Sequence, residues 1–298
     1  MTAASQYDPN APIGVFDSGL GGLTVVSQML RQMPRERILF VADQVHVPYG
    51  GRDLSEVRGF ACGISEGLLA AGCKAIVMAC NISSATALDA VRANHPNTLV
   101  LGVIEPGAQA AVQATKNGRI GVLATAGTVK SAAYTRTLHR LDAKLSVLEV
   151  GCPEFVPIVE AGLIDSPEAY RASATYLAPL LDEGVDTVVL GCTHYPFLLP
   201  VLEEIAPSVC FVNPAEQTVL ELERGLDGGR LTTVLTDPAP VRLTTTGNAR
   251  HFATTLHRFL SHPEEMIQVT RAQWYGERLR LYAPWYTPIK PRRTGACP

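Results

Sequence analysis

The sequence is poor in charge and in aromatic rings. Of its 298 residues 18% are charged and 6% aromatic, against 47% apolar. Such a balance excludes a chain disordered over most of its length. Neither sign of charge dominates: 25 Lys and Arg face 28 Asp and Glu, for a net charge of −3. Whole-chain attraction to nucleic acid or to an anionic lipid surface is therefore not what organises this protein. No apolar run reaches the roughly 18–20 residues a membrane-spanning helix needs. The opening residues MTAASQYDPNAP lack the charged start and apolar stretch of a secretory leader. A cytoplasmic protein with no membrane contact is expected. No two of the seven cysteines are spaced C-x-x-C, which excludes a thioredoxin-type redox pair and a zinc ribbon. No metal is expected. Cys62, Cys73, Cys152, Cys210 and Cys297 read as small buried apolar residues; Cys80 and Cys192 stand apart.

What is present is alternation. Short apolar runs at 13–16, 38–41, 75–79, 99–104, 120–123, 145–150, 187–190 and 209–212 read as strands. Longer amphipathic stretches between them, at 23–32, 54–71, 85–94, 129–141, 168–182 and 197–205, read as helices. This order implies an α/β fold with mainly parallel sheets flanked by helices and joined by right-handed crossovers. The chain also repeats. Leu68-Leu69-x-x-Gly72-x-x-x-x-Val77-x-x-Cys80 recurs 112 residues later as Leu180-Leu181-x-x-Gly184-x-x-x-x-Val189-x-x-Cys192. Ile13-Gly14-Val15 recurs at Ile120-Gly121-Val122, and Val103-Ile104-Glu105-Pro106 resembles Phe211-Val212-Asn213-Pro214. Three matches in one order imply two similar α/β halves. Each half ends a strand on a cysteine, where open parallel sheets form their ligand crevice. Two facing halves would set Cys80 and Cys192 across one cleft. One more strand (241–245) and a helix (249–260) read as a return to the first half.

Asp17-Ser18-Gly19-Leu20-Gly21-Gly22 turns from a strand into a helix, and its glycines allow close backbone approach to an anion. The third glycine of a dinucleotide fingerprint is missing, as is a P-loop lysine, so a small carboxylate fits better. Gly63-Ile64-Ser65-Glu66-Gly67 has the spacing of a nucleophile elbow, but it lies inside a helical pattern rather than after a strand, and is read as coincidence. Asn81-Ile82-Ser83 fits a glycosylation sequon, also read as chance. Val47-Pro48-Tyr49-Gly50-Gly51 is a turn by composition. Cys192-Thr193-His194-Tyr195-Pro196 sets a thiol beside an imidazole, which suits a nucleophile or a proton carrier. A Cys–His hydrolase would need one such cysteine and leaves Cys80 unexplained. Two opposed thiols suit removal of a proton on one face and delivery on the other.

Over residues 13–260 these motifs, with Phe155-Val156-Pro157-x-x-Glu160, resemble the cofactor-independent glutamate racemases of the aspartate/glutamate racemase superfamily. The resemblance implies two pseudosymmetric α/β domains, the second inserted in the first, with the active site in the cleft between them. The boundaries expected are 11–106 plus 213–262 for the first domain and 107–212 for the second, with 263–298 as a C-terminal appendage. The implied activity is interconversion of L- and D-glutamate without pyridoxal phosphate, supplying D-glutamate for peptidoglycan. No cofactor is expected. Cys80 would handle the α-proton on the D-glutamate face and Cys192 that on the L-glutamate face. Asp17 would assist Cys80; His194 and Glu160 would assist Cys192. Ser18, Pro48, Tyr49, Gly50, Asn81, Ile82, Thr125, Thr128 and Thr193 would surround the substrate. Asp43 falls where members carry an acidic residue near the first loop.

The chemistry is consistent with that assignment. A free thiol has a pKa of about 8.5 and only its thiolate is a base. Each direction needs one thiolate and one thiol. An imidazolium favours the thiolate and a lone carboxylate disfavours it, so Asp17 and Glu160 must act by orientation or proton shuttling. Without a pyridoxal sink, fixed donors around the substrate carboxylate must stabilise the carbanion. One position departs from the family pattern: Ile82 replaces the threonine after Cys80-Asn81. Ser83 is expected to point elsewhere, so Ile82→Thr is expected to raise activity. Rival readings are a racemase of aspartate or a hydantoin, or a binding role. Some family members are associated with inhibition of DNA gyrase, and the tail interleaves Arg271, Arg278 and Arg280 with Trp274, Tyr275, Trp285 and Tyr286. A docking segment is the plainer reading of that tail. DNA gyrase and a second copy of the chain, as a homodimer, are the protein partners to weigh beside glutamate.

Overall fold

The computed structural model describes residues 8–260 and 266–281. Its strands are β1 (Ile13–Asp17), β2 (Ile38–Ala42), β3 (Ala75–Met78), β4 (Leu99–Gly102), β5 (Arg119–Ala124), β6 (Ser146–Gly151), β7 (Thr187–Gly191), β8 (Cys210–Val212), β9 (Val241–Thr245), β10 (Ile267–Tyr275) and β11 (Arg278–Leu281). Between them run α1 (Leu23–Gln32), α2 (Leu54–Ala70), α3 (Asn81–Asn94), α4 (Ile104–Ala114), α5 (Ala126–Ser131), α6 (Ala133–Leu141), α7 (Phe155–Glu160), α8 (Pro167–Asp182), α9 (Leu199–Ile205), α10 (Pro214–Gly228) and α11 (Ala249–Thr255). The fold is α/β, with two sheets. One has seven strands in the order β11-β10-β9-β2-β1-β3-β4; the other has four, in the order β6-β5-β7-β8. Every pairing is parallel except that of β10 with β11. Strands β1, β2, β3 and β7 are buried along their whole length, because helices cover both faces of a parallel sheet.

The repeat has a structural counterpart. The run β2-β1-β3-β4 in the large sheet has the same connectivity as β6-β5-β7-β8 in the small one. Gly72 and Gly184 both adopt positive φ, 87° and 66°, where a helix hands over to a buried strand. A Cβ at Gly14 would lie 3.1 Å from Leu68 Cδ1, and one at Gly121 would lie 2.8 Å from Leu180 Cδ1. The same leucine therefore packs on the same bare backbone in each half.

Three expected helices are shorter or broken. The stretch 129–141 is interrupted at Ala132, which turns left-handed with φ 49°. There the Ser131 hydroxyl donates to the Thr128 carbonyl and accepts from Ala133 N–H, competing with the helical ladder. The stretch 197–205 begins as a 3-10 turn over Tyr195–Leu198, and only then becomes α9. The stretch 249–260 is helical to Thr255 and continues as a 3-10 turn over Leu256–Arg258. Cys210 is exposed and Cys62 half-buried, against expectation: Cys210 opens the edge strand β8, and Cys62 lies along α2; Cys297 lies outside the described residues.

The larger correction concerns the C-terminal stretch. Residues 267–281 do not stand apart as an appendage. Strand β10 pairs in parallel with β9, and β11 folds back on β10 to complete the large sheet. Ala272 and Leu279 are buried against α2 and the sheet. Arg280 lies 4.8 Å over the Tyr275 ring. Trp285, Tyr286 and the basic run Lys290-Pro291-Arg292-Arg293 lie outside the described residues. Among the described residues, no helix is long and apolar enough to cross a membrane.

Candidate active site

The carboxyl ends of strands from both sheets converge on one cavity of about 330 Å³. Asp17 closes β1, Cys80 joins β3 to α3, Thr125 joins β5 to α5, and Cys192 follows β7. The wall brings together Asp17, Ser18, Pro48, Tyr49, Gly50, Cys80, Asn81, Ile82, Thr125, Thr128, Glu160, Cys192, Thr193 and His194. Cys80 and Cys192 belong to equivalent strands of the two like-ordered sheets. Both are nearly buried, as a reaction that must exclude water requires.

The Cys192 side is a relay. His194 Nδ1 lies 3.9 Å from Cys192 Sγ, and His194 Nε2 donates to Glu160 Oε1 at 2.8 Å. Burial works to lower the His194 pKa, but the bonds to Cys192 and Glu160 and the charge of Asp17 overcome it, lifting it to about 10. His194 is thus an imidazolium at neutral pH. The bare Gly21 backbone packs against this pair: a Cβ on Gly21 would fall 2.4 Å from Thr193 Oγ1 and 2.5 Å from His194 Nδ1. Gly21 makes room for these side chains rather than for a ligand; Ser18 and Gly19 are the turn residues that reach the cavity.

Asp17 ties the two halves. Its Oδ2 accepts from Gly22 N–H at 2.6 Å and from Thr193 Oγ1 at 3.1 Å, while its buried Oδ1 has no partner. Burial raises its pKa, against the pull of His194 and of its donors. Elsewhere on the cavity wall, burial and then the Asp17 charge push the Cys80 thiol up, so Cys80 is held as a thiol. The nearby hydroxyl and N–H of Ser83 pull the other way, although that buried hydroxyl completes no hydrogen bond in this arrangement. Asn81 is pinned by Tyr134 from the second half, whose hydroxyl donates to Asn81 Oδ1 at 2.7 Å. That leaves the Asn81 NH₂ as a donor. Thr125 and Thr128 hydroxyls lie 3.1 Å apart.

Residues 13–222 match the model of the Asp/Glu/Hydantoin racemase family. The chain belongs to that family. The glutamate racemase of Shouchella clausii is 43% identical over 241 residues, covering 81% of this chain and 87% of its own. That of Listeria innocua is 40% identical over 257 residues, covering 86% and 96%. Among solved structures, glutamate racemase RacE1 from Bacillus anthracis superposes with a TM-score of 0.84 at 36% identity, over 91% of this chain and 100% of its own. A glutamate racemase from Francisella tularensis in complex with D-glutamate gives 0.83 at 29% identity, over 91% and 99%.

For a member of the racemase family, one residue of this cavity was read in the sequence only as a buried apolar side chain. Cys152 lines it as a third thiol, its pKa pushed up by burial, which keeps it neutral. It follows β6 as Asp43 follows β2, so the internal repeat pointed to it. Asp43 itself is fully buried and anchors Tyr49, whose hydroxyl donates to Asp43 Oδ2 at 2.6 Å. Burial, and then Asp43, push the Tyr49 pKa up. Tyr49 therefore stays neutral, contributing shape and not a proton. Among the described residues, no three metal-ligating side chains gather.

Proposed function

We propose that this chain interconverts L- and D-glutamate without a cofactor, with Cys80 and Cys192 as its two acid–base groups. The observation that carries the reading is the pair of thiols at equivalent strand ends of two like-ordered sheets, both on one cavity. Deprotonation on one face and protonation on the other invert the α-carbon. Cys192 is the base toward L-glutamate, with the His194 imidazolium compensating its charge. Cys80, a thiol in this arrangement, delivers a proton to the other face. In the reverse direction the roles exchange. Glu160 fixes the imidazolium; Asp17, whose charge adds to burial in keeping Cys80 a thiol, also accepts from Thr193 and so joins the Cys80 and Cys192 ends of the site.

The α-proton of an amino acid is a weak acid, so the negative charge that develops on the carboxylate needs fixed donors. The Asn81 amide, oriented by Tyr134, and the Thr125, Thr128, Thr193 and Ser18 hydroxyls supply them, with the backbone of the Pro48–Gly50 turn closing the cavity. Ile82 supplies an apolar wall. Such an enzyme feeds D-glutamate to peptidoglycan synthesis in the cytoplasm.

The test uses purified protein with L-glutamate and no added cofactor, followed by circular dichroism. Wild type is expected to bring the signal to zero from either enantiomer, and Cys80→Ala and Cys192→Ala to leave it unchanged. A folded wild type that is silent on glutamate but active on aspartate would overturn the substrate. Full activity in either cysteine variant would overturn the mechanism.

A further inference from the structure

The C-terminal hairpin reaches the active site through one carboxylate. The Asp43 side chain collects four donors in the interior. Oδ2 accepts from Tyr49 Oη at 2.6 Å and from His46 Nδ1 at 2.8 Å. Oδ1 accepts from Thr246 Oγ1 at 3.0 Å and from Trp274 Nε1 at 2.7 Å. Trp274 lies on β10, 231 residues along the chain from Asp43. Its ring also stands edge-on to His46 at 5.3 Å and tilted toward Phe60 at 6.0 Å, and His46 stacks on Phe60 at 3.9 Å.

The hairpin is seated by the segment whose spacing imitates a nucleophile elbow. A Cβ on Gly63 would fall 2.4 Å from the Glu277 carbonyl and 2.8 Å from the Trp274 ring, and one on Gly67 would fall 2.9 Å from the Leu279 carbonyl. These two glycines of α2 let β10 and β11 approach the helix backbone and bring Trp274 to Asp43. Beyond Asp43, the Tyr49 ring belongs to the same buried cluster as Cys80 and Ile82.

We propose that Trp274 is a positioning residue for the reaction: its indole N–H holds the Asp43 carboxylate, which holds Tyr49 against Cys80. The proposal rests on the two-thiol glutamate reading for its kinetic test only. Three of the four donors come from elements near the substrate turn or from the loop after β9, whereas Trp274 alone brings in the hairpin. A buried carboxylate that loses a charge-assisted donor must rearrange its remaining bonds, and the Tyr49 bond shares that carboxylate.

Trp274→Phe keeps an aromatic side chain while removing the N–H, together with the outer edge of the indole that lies on Gly63, a packing loss for which the hairpin variant below is the control. Leu279→Ala loosens the same hairpin without touching Asp43. For Trp274→Phe we expect KM for glutamate to rise on the order of tenfold, the scale of one hydrogen bond to a charged group, with kcat changed less. Leu279→Ala is expected to lower the melting temperature with KM unchanged. Alkylation of Cys80 by iodoacetamide, followed at its peptide by mass spectrometry, reads the same contact without substrate, and is expected to change severalfold in Trp274→Phe alone. Unchanged KM and unchanged Cys80 alkylation in Trp274→Phe would overturn the proposal. So would equal effects from Leu279→Ala, which would make the hairpin a structural brace. A wild type silent on glutamate would refute the substrate and leave the alkylation rates to decide the role of Trp274.

Discussion

Replacing Glu160 by Gln removes the charge of one of the groups that, with Cys192 and Asp17, keep His194 protonated. The substitution preserves size and an acceptor near Nε2 and removes one negative charge. At the 2.8 Å separation of this pair, two unit charges are worth about 1.5 kcal/mol in bulk water and about 6 kcal/mol at an effective dielectric of 20. The Glu160 side chain is 41% exposed, so solvent screening selects the lower part of that range, roughly 1.5–3 kcal/mol. That corresponds to about one to two pH units. The His194 pKa, about 10 in the native protein, should fall to roughly 8–9 in Glu160→Gln. The assay is the pH profile of kcat/KM from pH 6 to 10.5, by circular dichroism. Two enantiomers have an equilibrium constant of one, so kcat/KM must be equal in the two directions and either can be used. The substrate amino group titrates identically with both proteins, so the difference between profiles belongs to the enzyme. The alkaline limb should move to lower pH by about one to two units. An unmoved limb, or one moved upward, would refute the imidazolium relay.

The same shift governs stability. The folded pKa of His194 lies above its ordinary value of 6.5, so its contribution is fully present below about pH 6.5 and is lost as pH rises through about 10; chemical denaturation should show stability falling across that window, and His194→Gln should flatten the fall. Tyr134→Phe removes the donor that pins Asn81 and should lower kcat by roughly tenfold while leaving the fold intact by circular dichroism; wild-type turnover would show that the amide needs no pinning. Ile82→Thr removes the methyl that fills the space over Gly127 and should cost about 1 kcal/mol, or about 2 °C in melting temperature. It adds a hydroxyl at the cavity, and turnover should rise; unchanged or lower turnover counts against a role for that donor.

The internal repeat made much of the architecture legible. Leu68, Gly72 and Cys80 have counterparts at Leu180, Gly184 and Cys192, because both halves solve one problem: a helix must end, reverse through a left-handed glycine and enter a buried strand. The strand ends then drew the two cysteines to one place. Helix α4 was harder to read. Pro106 and Gly107 look like breakers, yet a proline in the first helical turn loses no intrahelical bond. The hairpin was hidden by composition: basic and aromatic residues mask strand β10, in which Ala272 is the one buried residue and the others are half-buried or exposed. Nor could a hydrogen bond across 231 residues, from Trp274 to Asp43, be read from local patterning.

The two-thiol account is tested most directly by running the reaction in deuterium oxide from pure L-glutamate and stopping it at low conversion. Separate thiols on the two faces predict that the D-glutamate formed carries deuterium at the α-carbon while the remaining L-glutamate still carries protium. Deuterium entering the remaining L-glutamate as fast as D-glutamate forms, or D-glutamate retaining the original proton, would mean that one group serves both faces, and would contradict the account.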